Sequence, residues 1–380
     1  MKILHVVPYF APAWAFGGTP RAVYEIAFQQ VRNGHDVSVL TSDALSKKQR
    51  TPKLEEMVSG VKVFRVRNAS QKLVWNFHFL TIWKLPKGVD LTSFDVIHLH
   101  ETRTLLHFLV LQHIDSSQKV IFSPWGTLPY NDRLIFVKKI MDFFLVPLLK
   151  EKVSVGTGQN KHELEVLRSF QIGKRQHILP LGVSTNFFSK LPSKRISRQK
   201  LQIPSDKTAF LFLGRFSREK GLELLLRSFA EFAKRHADVI LVCVGRDDGY
   251  LSDMKKIIAE LSMTKKIFIK KPLYNRERLY AYRAANVFVY TPIIYEETST
   301  ACLEALFCGV PVITTKQAAI PFLKKNNGVT EVVAEKSTVV RAMNEMMRKK
   351  KMTIQQQKIK TYFSWQGIVK KLDRLYVEKH

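Results

Sequence analysis

Short runs of β-branched and aliphatic residues, each followed by a stretch with helical apolar spacing, recur along the whole chain, and this alternation leaves few folds open. In the first half the runs are Ile3 to Val7, Val37 to Leu40, Val96 to Leu99, Val120 to Phe122 and Val153 to Val155. In the second they are Phe210 to Leu213, Val239 to Val244, Ile267 to Ile269, Val287 to Tyr290 and Val312 to Thr314. Strands that alternate with helices pair in parallel and are covered on both faces, so the expected class is α/β, two doubly wound units in tandem. A chain of 380 residues also exceeds what one ordinary core serves. Residues 178–206 mix Pro, Gly, Ser and basic residues as a connecting segment does, which puts the expected boundary near residue 190. The expected division is therefore 1–190, 191–360, and a final amphipathic helix over 361–380, with Ser364 as N-cap and Ile368, Leu372, Leu375 and Tyr376 on its apolar face. Two such units facing a central cleft bind ligands at the carboxyl ends of their strands, so chemistry is expected in the loops that follow strands.

The opening MKILHVVPYF interrupts its apolar run at His5, too soon for a secretory signal, and reads as a first buried strand. The apolar stretch Met141 to Leu149 is far short of the ~20 residues that span a bilayer. Cys243, Cys302 and Cys308 lie in apolar contexts without metal-ligand spacing and read as buried thiols of a reducing compartment, with a cytoplasmic location expected. With 46% hydrophobic and 24% charged residues, both halves can be globular and disorder is not expected. The net charge of +29 points to an anionic partner, although a solvated basic surface gives the same number. Nucleic acid is not expected, since no zinc finger, RNA-recognition signature or basic recognition helix is present.

Two segments carry the chemistry. GRFSREKG, Gly214 to Gly221, follows the strand AFLFL and precedes the helical LELLLRSFAEFAKR. Gly214 permits a tight turn, and Arg215 and Lys220 place two cations near a helix start, where free N–H groups already favour a diphosphate. A solvated basic turn would look the same. The second segment, Val287 to Thr314, reads as strand, polar loop and helix, ended by Gly309 and Pro311. With a helix start near Thr298 to Thr300, Glu304 falls in its second turn and Glu296 and Glu297 lie ahead of it. Glu304 can accept both hydroxyls of a ribose, and Glu296 can meet a transferred sugar; either can equally be a partner for a neighbouring cation or a helix-start acid.

Taken together, GRFSREKG and YEETSTACLEALFCGVPVIT resemble retaining glycosyltransferase family 4, nucleotide-sugar transferases of GT-B fold with two Rossmann-like domains. FGG at Phe16 to Gly18, DVIHLH at Asp95 to His100, SPWGTLP at Ser123 to Pro129, ILPLGV at Ile178 to Val183 and VGRDDGY at Val244 to Tyr250 extend the resemblance over essentially the whole chain. It implies an acceptor-binding N-terminal domain, a nucleotide-sugar-binding C-terminal domain and a final helix that crosses back to the first. It implies that Arg215 and Lys220 hold the diphosphate, that Glu304 takes the ribose hydroxyls, and that Glu296, with Glu297, Thr298, Ser299 and Thr300, faces the donor sugar. Gly17 and Gly18 would let the first loop approach the donor, and Trp125 and Gly126 fall on the acceptor side. Many members have Glu-Gly-Phe-Gly where this chain has Glu296, Glu297, Thr298 and Ser299, and a histidine where it has Trp125.

The resemblance further implies retention of anomeric configuration and transfer to a hydroxyl of a glycan or lipid-linked glycan. No metal or other cofactor is expected, because Asp247 and Asp248 sit in a Gly-flanked turn and read as turn formers. Leu73 to Gly88, rich in Trp and Phe, and Arg133 to Lys152, which mixes Lys with apolar residues, suit peripheral attachment to an anionic membrane; core-facing helices with solvated lysines are the competing reading. A non-catalytic nucleotide-sugar-binding or scaffold subunit is the alternative function.

Overall fold

A computed structural model describes residues 1–86, 88–115, 118–130, 134–296, 298–318, 320, 328–348, 354 and 356–378. The chain divides into two compact units, one of residues 1–182 and 365–380, the other of residues 183–364, so the division falls after Gly182 rather than near residue 190.

Unit 1 is built on eight strands: β1 (Lys2–Val6), β2 (Asp36–Ser42), β3 (Glu55–Val58), β4 (Val61–Val66), β5 (Val96–His100), β6 (Lys119–Ser123), β7 (Val153–Gly158) and β8 (Arg175–Ile178). They lie in the order β3-β4-β2-β1-β5-β6-β7-β8 and are parallel throughout, except that β3 returns antiparallel along β4. Burial on both faces explains the apolar runs of the inner strands β1, β5 and β6. The helix Trp365–Val377 packs in this unit, with Ile368, Leu372, Leu375 and Tyr376 buried beside Ile3, Ala22 and Val96. Its Asp373 accepts hydrogen bonds from Gln30 of the helix Gly18–Arg32 and from Asn33, the residue that caps that helix's end, at 3.3 and 3.0 Å.

Unit 2 holds six parallel strands: β9 (Thr208–Leu213), β10 (Val239–Val244), β11 (Ile267–Lys270), β12 (Val287–Tyr290), β13 (Val312–Thr315) and β14 (Val329–Val332), ordered β11-β10-β9-β12-β13-β14. The expected connecting segment is largely part of this unit. It carries the helix Lys194–Leu201, capped by Ser193, and buries Phe188 and Leu201 in the unit's core. Strand order reverses between β1 and β5 in unit 1 and between β9 and β12 in unit 2, and at such switch points open sheets leave a crevice beyond the strand ends.

Candidate functional site

The crevice of unit 2 is a cavity of about 310 Å³ lined by residues that follow β9 and β12. It brings together Arg215, Lys220, Glu296, Thr298, Ser299, Thr300 and Glu304, residues assigned to the donor from the sequence. Glu297 lies outside the described residues. Gly17, Gly18, Trp125 and Gly126 belong to unit 1.

Backbone crowding shapes the cavity's floor. Gly221 has φ +63°, and a Cβ there would meet the Thr291 carbonyl oxygen at 1.8 Å; a Cβ on Gly245 would lie equally close to the Gly214 oxygen. The glycine requirement expected at Gly214 therefore falls on Gly221 and Gly245, because these are the points where loops cross neighbouring strand ends. Lys220 is held ahead of Gly221 by an ion pair to one oxygen of Glu296, each side chain only 14% exposed, while Tyr290 donates to the other oxygen at 2.7 Å. Burial, and then the Glu296 charge, pushes the Tyr290 phenol well up, so it remains a donor. Arg215 stands more openly, paired with Asp248 and 3.6 Å from Glu219. The neighbouring Asp247 accepts from the amides of Gly249, Tyr250 and Leu251 and starts the helix Leu251–Glu260 as a turn former.

The helix Thr300–Phe307 begins within the expected range and has neither a side-chain cap nor an acid in its first turn. Glu304, 7% exposed, is held by Arg278 at 2.9 Å and by the Tyr282 hydroxyl at 3.0 Å. Burial raises its carboxyl above the ordinary range, against the opposing pull of Arg278. Arg278, Tyr282 and Tyr290 were missed from sequence; the available signal was the i, i+4 spacing that places Arg278 and Tyr282 on one helix face. Among the described residues the cavity thus offers three cations and two carboxylates, each carboxylate already paired, which suits a doubly or triply anionic ligand carrying vicinal hydroxyls.

In unit 1, Trp125 and Gly126 follow β6 with φ of 53° and 79°. The Trp125 indole donates to Nδ1 of His100 at 3.0 Å, and the Gly126 amide donates to Glu163 at 2.6 Å. A Cβ added at Gly17 or Gly18 would meet nothing within 4 Å, although Gly17, at φ +108°, holds a backbone conformation that favours glycine. Behind Trp125 lie His5, His98 and His100, fully buried with ring nitrogens within 4.8 Å of one another, a spacing a metal could use. Every one of these nitrogens already has a protein partner. Because Trp125 only donates, His100 Nδ1 accepts, so His100 Nε2 carries the proton and donates to His5 Nδ1 at 2.9 Å; His5 Nε2 then donates to Gln30 at 2.7 Å. His98 joins the Tyr376 and Ser123 hydroxyls, both at 2.7 Å. Burial lowers all three, His5 to about 4, so the cluster is a neutral hydrogen-bonded chain.

Residues 193–362 match the family Glycosyl transferases group 1, and residues 16–187 match Glycosyltransferase Family 4. The chain belongs to the GT-B glycosyltransferases of group 1. It is 25% identical over 346 residues to an uncharacterised glycosyltransferase of Methanocaldococcus jannaschii, covering 87% of this chain and 84% of that one. A D-inositol 3-phosphate glycosyltransferase of Kineococcus radiotolerans is 28% identical over 339 residues, covering 82% and 75% respectively. Among solved structures, Anabaena HepE in complex with UDP superposes with a TM-score of 0.72 at 15% identity, covering 99% of both chains, and shares the two-domain fold.

Proposed function

We propose that this glycosyltransferase moves a sugar, with retention, from a nucleoside diphosphate sugar to a hydroxyl of a glycan or lipid-linked glycan at the cytoplasmic face of a membrane, in polysaccharide, glycolipid or glycoprotein glycan synthesis. The observation that carries this is the unit 2 cavity, where Arg215, Lys220, Glu296 and Glu304 converge beside an uncapped helix N-terminus. Arg215, Lys220 and the first-turn amides of Thr300–Phe307 bind the diphosphate; Glu304 accepts the ribose hydroxyls. Glu296 keeps Lys220 in place and faces the sugar. The HepE complex, which holds UDP, supports a nucleotide donor of this kind.

In the proposed step the bond from the anomeric carbon to the diphosphate oxygen breaks, and a bond to the acceptor oxygen forms on the same face. The acceptor's proton passes to the departing diphosphate oxygen. Charge grows on the diphosphate as this happens, and fixed cations stabilise it at no reorganisation cost. No metal is needed in this scheme, because Lys220 and Arg215 supply the positive charge and both cavity carboxylates are committed to Lys220 and Arg278. The helix Ile135–Lys152 supports a membrane site: Phe136 and Phe143 are 76% and 75% exposed, Ile140 and Phe144 share that outward face, and lysines flank it. Trp83 and Phe77 are exposed as well, while Leu80 and Ile82 of the same segment are buried.

A thermal-shift screen of nucleotide sugars identifies the donor, since a ligand that binds only the folded state raises the melting temperature. Turnover of that donor is expected to fall by roughly 10²-fold or more in Lys220→Ala and in Glu296→Ala, and to survive EDTA. Turnover at the wild-type level in both variants would sink the catalytic assignment of Lys220 and Glu296, and none in the wild-type protein would favour a non-catalytic nucleotide-sugar-binding subunit.

A further inference from the structure

The two carboxylates of the unit 2 cavity are held in the same manner, each between one cation and one buried phenol. Lys220 pairs with Oε1 of Glu296 while the Tyr290 hydroxyl donates to Oε2 at 2.7 Å. Arg278 pairs with Oε1 of Glu304 at 2.9 Å while the Tyr282 hydroxyl donates to Oε2 at 3.0 Å. The cations are what an anionic ligand meets, so binding explains them. It does not explain the tyrosines, which are 4% and 0% exposed. Burial, and then the charge of the adjoining carboxylate, raises both phenols, so each keeps its proton and donates.

Both phenols are fixed from behind. The Tyr290 ring stacks on Phe212 and on Phe288, with centroids 5.9 and 6.3 Å away, and the Tyr282 ring tilts against Phe288 at 5.6 Å. One aromatic row therefore sets both hydroxyls. Backbone ties Tyr290 to Lys220 as well: the hydroxyl of Thr291, the next residue along, donates to the Gly221 carbonyl at 3.1 Å, and Lys220 Nζ lies 5.6 Å from the Tyr290 ring centroid. Glu304 stands on the helix Thr300–Phe307, whereas Glu296 lies in the loop after β12, where its amide donates to the Gln317 carbonyl at 2.8 Å. A carboxylate gripped at one oxygen pivots about that contact; gripped at both, it points one way and holds its cation there.

We propose that Tyr290 and Tyr282 are positioning residues of the donor site, Tyr290 aiming the Glu296–Lys220 pair at the bond that breaks and Tyr282 aiming Glu304 at the ribose. These roles rest on the transferase reading above. Tyr290→Phe and Tyr282→Phe each remove one hydroxyl and keep the ring. The wild-type protein and both variants are titrated with UDP, GDP and ADP, and nucleoside diphosphate release, with water as acceptor, is followed from UDP-glucose, UDP-N-acetylglucosamine, GDP-mannose and ADP-glucose. Tyr290→Phe should lower kcat roughly tenfold, because charge grows on the diphosphate only as the bond breaks, and should change nucleotide Kd by less than about threefold, since Arg215 and the helix amides remain. Tyr282→Phe should raise nucleotide Kd and donor KM roughly fivefold or more, with the larger part of its loss in KM rather than kcat. General loosening of the cavity moves both parameters together in either variant, so the opposite split is the signature of two separate aims. With a wild-type protein that binds and turns over, parameters that move together in both variants, split the other way round or do not move at all would overturn the proposal and leave the donor reading standing. Absence of nucleotide binding or of turnover in the wild-type protein would instead remove the reading on which both roles rest.

Discussion

Lys220 and Gly221 are neighbours with different reasons to be what they are. The lysine is held by chemistry, the Glu296 carboxylate, whereas the glycine is held by space, because Thr291 runs directly over it. Gly221→Ala must move the β12 edge or the loop, and the loss of close-packed backbone on that scale should cost about 2 kcal/mol or more and blunt nucleotide binding. Gly18 is the control. It opens the helix Gly18–Arg32 with no atom within 4 Å of an added Cβ, so Gly18→Ala should change stability by less than about 1 kcal/mol, upward if at all. Urea unfolding of both variants checks the contrast. Similar midpoints would mean that the Gly221 crossing yields more readily than its 1.8 Å approach implies.

At the scale of elements, the helix Ile135–Lys152 is anchored from below and bare above. Leu145 and Leu149 are buried and Asp142 is taken by Arg103, while Phe136, Ile140, Phe143 and Phe144 face out. An outward apolar stripe beside lysines loses its unfavourable exposure on an anionic bilayer, where each nearby basic residue adds ~1 kcal/mol. In flotation with vesicles containing phosphatidylglycerol, the protein should rise with the lipid at low salt. Phe136→Ser with Phe143→Ser should lower the bound fraction about tenfold or more, from the apolar area lost. Recovery in the pellet regardless of lipid charge would dispose of the membrane reading. The exposure of this stripe was not readable beforehand, since Lys and Phe at helical spacing describe a core-facing helix equally well. Strands were more legible: each of the ten apolar runs is a strand, whereas β3, β4, β8 and β14 went unnoticed. β4 carries Lys62 and Arg65, and Arg65 is buried only because Glu56 and the Ala11 carbonyl meet it. The Ser59–Gly60 turn joining β3 to β4, positive in φ at both residues, was the signal available. The donor residues were legible because they fall in two contiguous segments. Arg278 with Glu304 acquires meaning only when distant segments meet.

Across the whole molecule, buried histidine is distributed unevenly, and acid should expose this. Unit 1 contains His5, His98, His100 and His107, all fully buried and all lowered by burial, whereas the only histidine of unit 2 is the part-exposed His236. A histidine near 4 when folded and near 6.5 when unfolded takes up its proton first in the unfolded chain. Its contribution is therefore complete above pH 6.5 and is lost as pH falls toward 4, by about 1.4 kcal/mol per pH unit for each group. Glu101 acts the other way: its raised carboxyl binds a proton first in the folded state, so it favours unit 1 as pH drops from about 7. Burial also raises Glu25 and lowers His78, so five lowered histidines against two raised carboxyls leave unit 1 losing stability on acidification. In unit 2 the raised Glu304 carboxyl favours the folded state over the same descent. Between pH 7.5 and 5, amide protection factors, which divide out the slower intrinsic exchange in acid, should fall strongly in β5 and much less in β9. The net charge of +29 also grows with acid, and its self-repulsion would destabilise both units. Salt separates the two causes, because 0.5 M NaCl screens surface repulsion and leaves a fully buried imidazole's desolvation untouched. If the selective opening of β5 vanishes in that salt, surface charge and not the histidine chain is responsible; if it persists, the neutral tautomers fixed from Trp125 to Gln30 are what acid breaks.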